Sequence, residues 1–481
     1  MPAYVLEIVT LSLGLLLLLA EAFIGPQRKR LIGYAAIIGL AITFVLLLFT
    51  CSCTGPSAFW KFYTPDSLSL FYKGLALLCT IIVLILSLDY APVLEKFSAR
   101  AGGGPAIGEF FALPVFICTG MMWMASATDL TSIFVSLELI TIAFYVMVGY
   151  QRKNKLSLEA AVKYLILGAI STGFLVYGLA WLFGVTGQTN LSAIGTALYA
   201  TENKSAALFA LALLLVGLAF KVAAVPFQFW VPDVYQGAAT PITAFLSVGS
   251  KSAGFIIAYR ILQPFLASPV LQSTTLSLLV ALAGATLLVG NLAAISQTNF
   301  KRLLAYSSIS HAGFLLLAFA SVPRHATTLG PIQVVSFYLA AYLIMTLLAF
   351  AVVCVINRVS GSDDLSAFDG LAKRSPLLAF ALLISAISLA GVPLTVGFFG
   401  KLFVFLLAID AGHTWPVAIA ILGAAVGFYY YLKVIRAMYW NTATDATPIT
   451  VSPLLKYTII VLAIATLVLG VYPQPILSLL Q

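Results

Sequence analysis

Residues 217–255 read GLAFKVAAVPFQFWVPDVYQGAATPITAFLSVGSKSAGF, which places Lys221, Pro226 and Lys251 among apolar neighbours. Lys221 follows an uncharged run over residues 206–220, and Pro226 lies inside an apolar segment of membrane-spanning length. A proline within a helix removes one backbone donor and breaks the hydrogen-bond ladder. At membrane depth the freed backbone groups are tolerated only where they are buried in protein or line a wet cavity. The stretch therefore predicts an interrupted membrane helix beside a buried lysine.

The composition predicts an all-α polytopic membrane protein. The chain has 481 residues, of which 62% are hydrophobic and 9% are charged, whereas an ordinary soluble domain has about 25% charged residues. A spanning helix needs about 20 mostly apolar residues, and by that measure we expect about 14 helices in a single membrane domain, residues 1–481. The predicted spans lie near residues 3–24, 31–50, 69–89, 110–127, 130–149, 159–183, 206–225, 241–262, 274–293, 303–320, 332–356, 376–408, 416–439 and 454–472.

The twelfth apolar run, residues 376–408, is too long for one plain span and contains Pro393. Ala224-Val225-Pro226 recurs there as Gly391-Val392-Pro393, and each copy has a lysine close by, Lys221 or Lys401. Paired proline-interrupted spans indicate two inverted repeats with broken helices seven and twelve. We divide the chain into helices one to three (1–105), a first repeat with helices four to eight (106–265), a second repeat with helices nine to thirteen (266–440) and helix fourteen (441–481).

The net charge of +9 follows the membrane topology. Basic residues gather in alternate loops, namely Arg28, Lys29, Arg30; Lys96, Arg100; Arg152, Lys153, Lys155; Lys301, Arg302; Arg358, Lys373, Arg374; and Lys433, Arg436. The intervening loops carry few, mainly Lys61, Lys204, Arg260 and Arg324. The positive-inside rule places the basic loops on the cytoplasmic side and both termini outside. This distribution favours a lipid bilayer as the partner and argues against nucleic acid.

Four ionisable residues stand alone inside apolar runs: Glu138, Lys221, Lys251 and Lys401. A charge at bilayer depth costs roughly 2.5–3.5 kcal/mol, so such residues are functional candidates by default. Burial disfavours the charged form of a lysine and a nearby carboxylate favours it, so a lysine that alternates between the two changes its proton affinity. Glu138 is the natural partner of Lys221. One acid with three lysines favours a proton relay over a static buried ion pair, which remains the alternative.

Other polar residues give weaker signals. His311 could titrate near neutral pH or serve as a hydrogen-bonded packing residue. Glu159 and Lys163 are spaced i,i+4 and are expected to form a local pair, with an auxiliary role left open. Cys51 and Cys53, like the other three cysteines, are expected to be independent thiols. The chain carries no nucleotide, metal or haem motif, so we expect no cofactor in it and a driving force supplied by partners or an ion gradient.

Three segments carry a resemblance to a known family. Residues 217–255, FKRLLAYSSISHAGFLLL (300–317) and LAGVPLTVGFFGKLFVF (389–405) resemble the N subunit of respiratory complex I, the proton-pumping NADH:quinone oxidoreductase. The PDVYQGA and SKSAGF forms favour that subunit over its M and L siblings. The resemblance implies a translocase subunit of the bacterial plasma membrane, coupled to quinone reduction elsewhere. It implies membrane partners of the M, K, J and A types, and it implies that FMN, iron–sulfur clusters and quinone belong to partner subunits rather than to this chain.

The resemblance also implies a role for each of the four buried residues. Glu138 would be the glutamate of helix five, Lys221 its partner on broken helix seven, Lys251 the central lysine on helix eight and Lys401 the terminal lysine on broken helix twelve. Gln228 departs from the family pattern, because it stands where the family commonly has a histidine, and it cannot titrate. Two alternatives remain open: a subunit of an Mrp-type cation/proton antiporter, and a scaffold subunit whose buried charges are locked pairs.

Overall fold

The structure is a computed structural model that describes residues 2–50, 61–98, 107–200, 203–325, 329–443 and 447–480. Cys51, Cys53 and the predicted boundary between residues 105 and 106 lie outside the described residues. Cys79, Cys118 and Cys354 are buried free thiols.

The described part of the chain is helical and confirms the predicted polytopic membrane fold. Twelve helices in it are long and apolar enough to cross a membrane, and two shorter apolar helices complete the fourteen spans. In chain order they are α1 (Val5–Phe23), α2 (Arg30–Leu48), α3 (Ser67–Asp89), α4 (Gly108–Ser126), α5 (Leu130–Val148), α6 (Lys155–Thr186), α7a (Lys204–Val222) with α7b (Trp230–Gly237), α8 (Thr240–Ala267), α9 (Gln272–Ile295), α10 (Phe300–Phe319), α11 (Pro331–Ser360), α12a (Pro376–Ala390) with α12b (Val396–Asp410), α13 (Thr414–Tyr439) and α14 (Pro453–Val468).

The seventh and twelfth helices are broken, as the prolines predict. α7a is followed by Ala223 and α12a by Gly391, and both residues have a left-handed backbone, with φ of 65° and 91°. Groups freed at the first break find partners: the indole nitrogen of Trp230 donates to the carbonyl of Phe220 (3.1 Å), and the amide of Val225 donates to the hydroxyl of Thr286 (3.0 Å). Protein groups therefore replace the lost helical hydrogen bonds, as the membrane interior requires.

Loops that the sequence assigns to one face do meet at one end of the bundle. Isolated backbone bridges join Tyr63 to Ala127 and Asp129 to Asn190 at the end with few basic residues, which we call the outer end. At the opposite, basic end, Asn299 bridges to Asp364. Arg260, counted above among the outer loops although it falls within the predicted span 241–262, lies in the outer half of α8, which continues to Ala267.

The centre of the bundle is formed by α8, α10 and α11, which are buried around most of their circumference. By contrast α1, α2 and α6 expose broad apolar faces, with Leu16, Ile38 and Ile166 all more than half exposed. A π-helical turn, Leu246–Ser250, interrupts α8 just before Lys251. Such turns are rare and occur most often at functional sites. The fold thus places three of the four singled-out residues on or beside its most buried helices.

Candidate functional site

Lys221 lies in the last turn of α7a, immediately before the break. Its ammonium donates a hydrogen bond to the hydroxyl of Thr141 on α5 at 2.7 Å. A small cavity of about 20 Å³ adjoins the lysine, lined among others by Thr141, Tyr164, Ser250, Gly254 and Ile257. A water molecule needs roughly 10–15 Å³ measured in this way, so the cavity has room for one. We call it the Lys221 cavity.

Glu138 lies one helical turn before Thr141 on the same helix, but it does not touch Lys221. Its carboxylate accepts a hydrogen bond from the hydroxyl of Thr172 at 3.3 Å. Within the described residues the two charged groups form no ion pair within 4.0 Å, although the carboxylate still acts on the ammonium electrostatically. The direct partnership expected from the sequence is therefore replaced by an indirect one, in which Thr141 holds the lysine within the field of Glu138.

Lys251 is buried at the centre of the bundle and follows the π turn of α8. Its ammonium donates to the Ser308 hydroxyl on α10 at 2.6 Å and also to the Ser308 carbonyl. The same ammonium lies 5.0 Å from the ring centre of Tyr342, a cation–π contact. The Ser308 hydroxyl in turn lies 3.2 Å from the hydroxyl of Tyr235 on α7b. Ser308 therefore links the central lysine to the second half of the broken helix seven.

His311 lies one turn after Ser308 on α10 and is buried. Its Nδ1 is 2.7 Å from the hydroxyl of Tyr338 on α11. Its ring lies 5.0 Å from the ring of Tyr342, which covers Lys251, and 6.3 Å from the ring of Phe314. The histidine therefore lies between Tyr342, whose ring contacts Lys251, and Phe314, whose ring contacts Lys401.

Lys401 reaches from α12b back to the end of α12a. Its ammonium donates to the carbonyls of Ala390 (2.7 Å) and Leu389 (3.0 Å) and lies 5.2 Å from the ring centre of Phe314. These carbonyls are orphaned at the helix end, and the helix dipole is negative there, so a cation is favoured. Gly391 leaves room for this arrangement, because a Cβ at that position would stand 2.8 Å from Cδ of Lys401.

The structure thus brings Lys251, His311 and Lys401 together along one face of α10, and Ser250 on the wall of the Lys221 cavity directly precedes Lys251. Pro226 and Pro393 mark the two breaks beside this row. Gln228 is also buried near the first break, and in the described structure its side-chain carbonyl has no hydrogen-bond partner. A buried polar atom without a protein partner is a site at which an ordered water can complete the hydrogen bonding.

Glu159 and Lys163 lie away from this row, at the inner end of the bundle. The predicted i,i+4 pair is present at 2.7 Å, and Lys163 also pairs with Asp233 at 2.6 Å. Arg302 contacts the second oxygen of Asp233 at 2.7 Å. The side chains of Glu159 and Lys163 are 58% and 41% exposed, so this network is a solvated tie between α6, α7b and α10.

One buried charge cluster was missed in the sequence. Lys73 on α3 is fully buried and pairs with Glu7 on α1 at 2.8 Å, and the hydroxyl of Tyr63 contacts both groups. The signal was available, because Lys73 is also a lone charge within an apolar run. At the same outer end, Arg260 pairs with Asp66 at 2.9 Å. Glu7 therefore has an internal partner within this chain.

Among the described residues no group of three or more His, Cys, Asp or Glu side chains is placed to hold a metal ion. What the site offers is a succession of ammonium groups, hydroxyls and one imidazole, which can hold and pass protons.

Comparisons with known proteins agree with one another. Residues 127–427 match the family described as "NADH:quinone oxidoreductase/Mrp antiporter, TM". The chain is 38% identical over 474 residues to NADH-quinone oxidoreductase subunit N of Heliobacterium modesticaldum, covering 98% of this chain and 96% of that one. It resembles a chain of respiratory complex I from Thermus thermophilus with a TM-score of 0.80 and 32% identity, covering 98% of each chain. It shares its fold with a chain of the Mrp complex from Dietzia, with a TM-score of 0.81, 22% identity and 99% and 96% coverage of the two chains.

Proposed function

Because this chain belongs to the NADH-quinone oxidoreductase subunit N family and is thus a membrane subunit of a complex I-type oxidoreductase, we propose that its buried lysines carry the protons that the enzyme translocates. The path runs from Lys221 through Lys251 and His311 to Lys401. Electron transfer takes place in partner subunits, which supply FMN, iron–sulfur clusters and quinone.

The observation that carries the proposal is the neutrality of the groups around two of the lysines. Lys251 and Lys401 are held by a serine, by backbone carbonyls and by aromatic rings, and within the described residues neither has a carboxylate at ion-pair distance. Lys73 is the opposite case, since it is locked to Glu7. A lysine among neutral partners can lose its proton without stranding a buried anion, whereas removing the charge of a paired lysine strands its partner.

The geometry supports a sequence of local transfers. A change of charge near Glu138, driven by redox chemistry in the partners, would alter the field on the Lys221 ammonium across the shared helix α5. The Lys221 cavity has room for one water between that lysine and Ser250, next to Lys251. From Lys251 the Ser308 hydroxyl and the His311–Tyr338 pair provide exchangeable protons toward Lys401. Water molecules would complete the steps for which no direct hydrogen bond links the side chains.

The test is Lys251→Ala in the assembled oxidoreductase, compared with Lys221→Ala. We expect the pH gradient formed per NADH oxidised in membrane vesicles to fall several-fold, with normal amounts of complex on native gels. The matched control is Lys433→Ala, because that lysine also binds backbone carbonyls, at the inner end of α9, but lies outside the row. An unchanged ratio of gradient to turnover in both relay variants would reject the relay and favour the scaffold role.

We further propose that the protein spans a bacterial plasma membrane with both termini outside and that residues 106–265 and 266–440 are two repeats. The basic loops at one end of the bundle support the orientation. The positions of the two breaks, each followed by one or two further spans, support the repeats. Reaction of a terminal cysteine with an impermeant thiol reagent from the outer side only would test the orientation.

A further inference from the structure

Two cavities lie along one helix, α8, on the outer side of Lys251. The Lys221 cavity is lined by Ser250, Ala253, Gly254 and Ile257 of this helix. One turn further out, Arg260, Gln263, Pro264 and Ala267 line a second cavity of about 430 Å³, together with Thr64, Thr128 and residues of the 190–195 segment. We call this second cavity the outer vestibule. The two cavities therefore occupy successive turns of α8, since Ile257 and Arg260 are three residues apart, or about 4.5 Å along the helix axis.

A side-chain contact of Arg260, which lines the outer vestibule, lies three residues after Ile257, which lines the Lys221 cavity. Arg260 reaches across from α8 and donates from Nη2 to both carboxylate oxygens of Asp66 at 2.9 Å and to the carbonyl of Ala125 at 2.8 Å. Met124, the residue before Ala125, lines the Lys221 cavity. The guanidinium group thus ties the outer ends of α3, α4 and α8 together beside residues that line each of the two cavities.

The contact is built so that it can open. The Arg260 side chain is 9% exposed, yet its Nε has no hydrogen-bond partner in the described structure. Asp66 keeps a second role when the arginine leaves, because its carboxylate caps α3 by accepting from the amide of Ser69 at 2.7 Å. The Asp66 side chain is also 40% exposed, so water can replace the guanidinium. Glu7 and Lys73, which are almost fully buried, have no such alternative.

We propose that the Arg260–Asp66 ion pair is a gate between the Lys221 cavity and the outer vestibule, and that the vestibule connects the Lys221 end of the proposed proton path with the outer side. When the pair is closed, Lys221 communicates only with Thr141 and the interior. When Arg260 turns into the vestibule, water reaches the cavity past Ile257. The role of the gate in proton transfer rests on the proposed proton path, but the opening of the gate can be tested without measuring pumping.

The experiment measures the accessibility of single cysteines in the assembled complex. Cys51 and Cys53 are first replaced by serine, which leaves the buried thiols. Gln263→Cys reports on the vestibule and Ile257→Cys reports on the cavity, since Gln263 is exposed and Ile257 is buried. Right-side-out vesicles are treated with a membrane-impermeant trimethylammonium methanethiosulfonate, and the rate of modification is followed by mass spectrometry.

We expect Gln263→Cys to react readily and Ile257→Cys to be protected while the gate is intact. Asp66→Asn should raise the rate at position 257 at least tenfold and leave the rate at position 263 within twofold. Because Asp66→Asn leaves Arg260 without an anion, the double variant Arg260→Gln/Asp66→Asn is measured as well; it contains no unpaired charge and should expose position 257 in the same way.

Three results would overturn the gate. The first is protection of position 257 in both gate variants, and the second is reaction of position 263 from the inner side alone. The third concerns Val83→Cys, a control in the buried face of α3. If that control becomes reactive together with position 257, the bundle has loosened as a whole and the ion pair is a structural tie. A normal gate with no effect of Lys251→Ala on pumping would instead refute the relay alone.

Discussion

Replacing Glu7 by glutamine is expected to destabilise the chain more than any change on its exposed faces. The substitution keeps the shape of the side chain but leaves the Lys73 ammonium, which has no exposed surface, without its carboxylate. At 2.8 Å the attraction between the two charges is about 6 kcal/mol at an effective dielectric constant near 20. Removing one member of such a buried pair costs about 3–5 kcal/mol, because the other charge remains desolvated.

The loss converts into a shift of thermal stability. With about 2 cal/mol/K of unfolding entropy per residue, a chain of 481 residues loses roughly one degree of Tm for each kcal/mol. Glu7→Gln should therefore lower by about 3–5 °C the temperature at which half of the subunit leaves the purified complex, read on native gels after stepwise heating. Lys73→Met should have a similar effect, since it strands the carboxylate of Glu7.

The double variant Glu7→Gln/Lys73→Met separates charge from packing. It contains no unpaired charge, and exchanging a buried ion pair for neutral groups of similar volume is often neutral or stabilising. We expect its transition to return to within about 1–2 °C of the parent. If the two single losses simply add in the double variant, the groups are not coupled, and the account of a locked pair is refuted.

Three further substitutions probe the row of lysines. Gly391→Ala should cost about 1–3 kcal/mol of stability, because a side chain is strained at this positive φ. It should also lower proton transport, because the new Cβ would displace Lys401. Gly361→Ala, at a surface position that also has a positive φ, controls for backbone strain alone in the same vesicle assay. Thr141→Val keeps the side-chain shape but removes the acceptor of Lys221, a bond worth about 1.5–3 kcal/mol to a charged donor, so the gradient per NADH should fall while complex assembly holds. His311→Phe should keep NADH turnover measurable and abolish most of the gradient, and a full gradient in this variant would make the histidine a packing residue.

The sequence predicted the helices and their breaks well, because both depend on local patterns. Apolar runs of spanning length set the fourteen spans, and Pro226 and Pro393 mark breaks at which no ordinary helix can continue. Lone charges in apolar runs identified the lysines that the structure places at its centre. The ends of the spans were less well predicted, since α6 begins at Lys155 rather than near residue 159 and α8 continues to Ala267 rather than ending near residue 262.

The partners of those lysines could not be predicted in the same way, since they depend on which faces of distant helices meet. Ser308 and Tyr342 are neutral residues in apolar helices and give no separate signal in the sequence, yet they hold Lys251. Thr141 rather than Glu138 takes the Lys221 ammonium because the carboxylate, one turn away, points toward Thr172. Glu7 and Lys73 are 66 residues apart, and their pairing depends on how α1 and α3 pack, which the local sequence pattern does not specify.

The ammonium group of Lys401 acts as the C-terminal cap of α12a. Its ammonium satisfies carbonyls that the break at Gly391 leaves open, so it completes the last turn of the half-helix. Taking the proton away would also weaken what holds that turn at the negative end of the helix dipole. We therefore expect the position of the half-helix to depend on the charge of the lysine that caps it. Because Ser385 of α12a donates to the Met345 carbonyl of α11, a shift of α12a would act directly on the helix carrying Tyr338 and Tyr342.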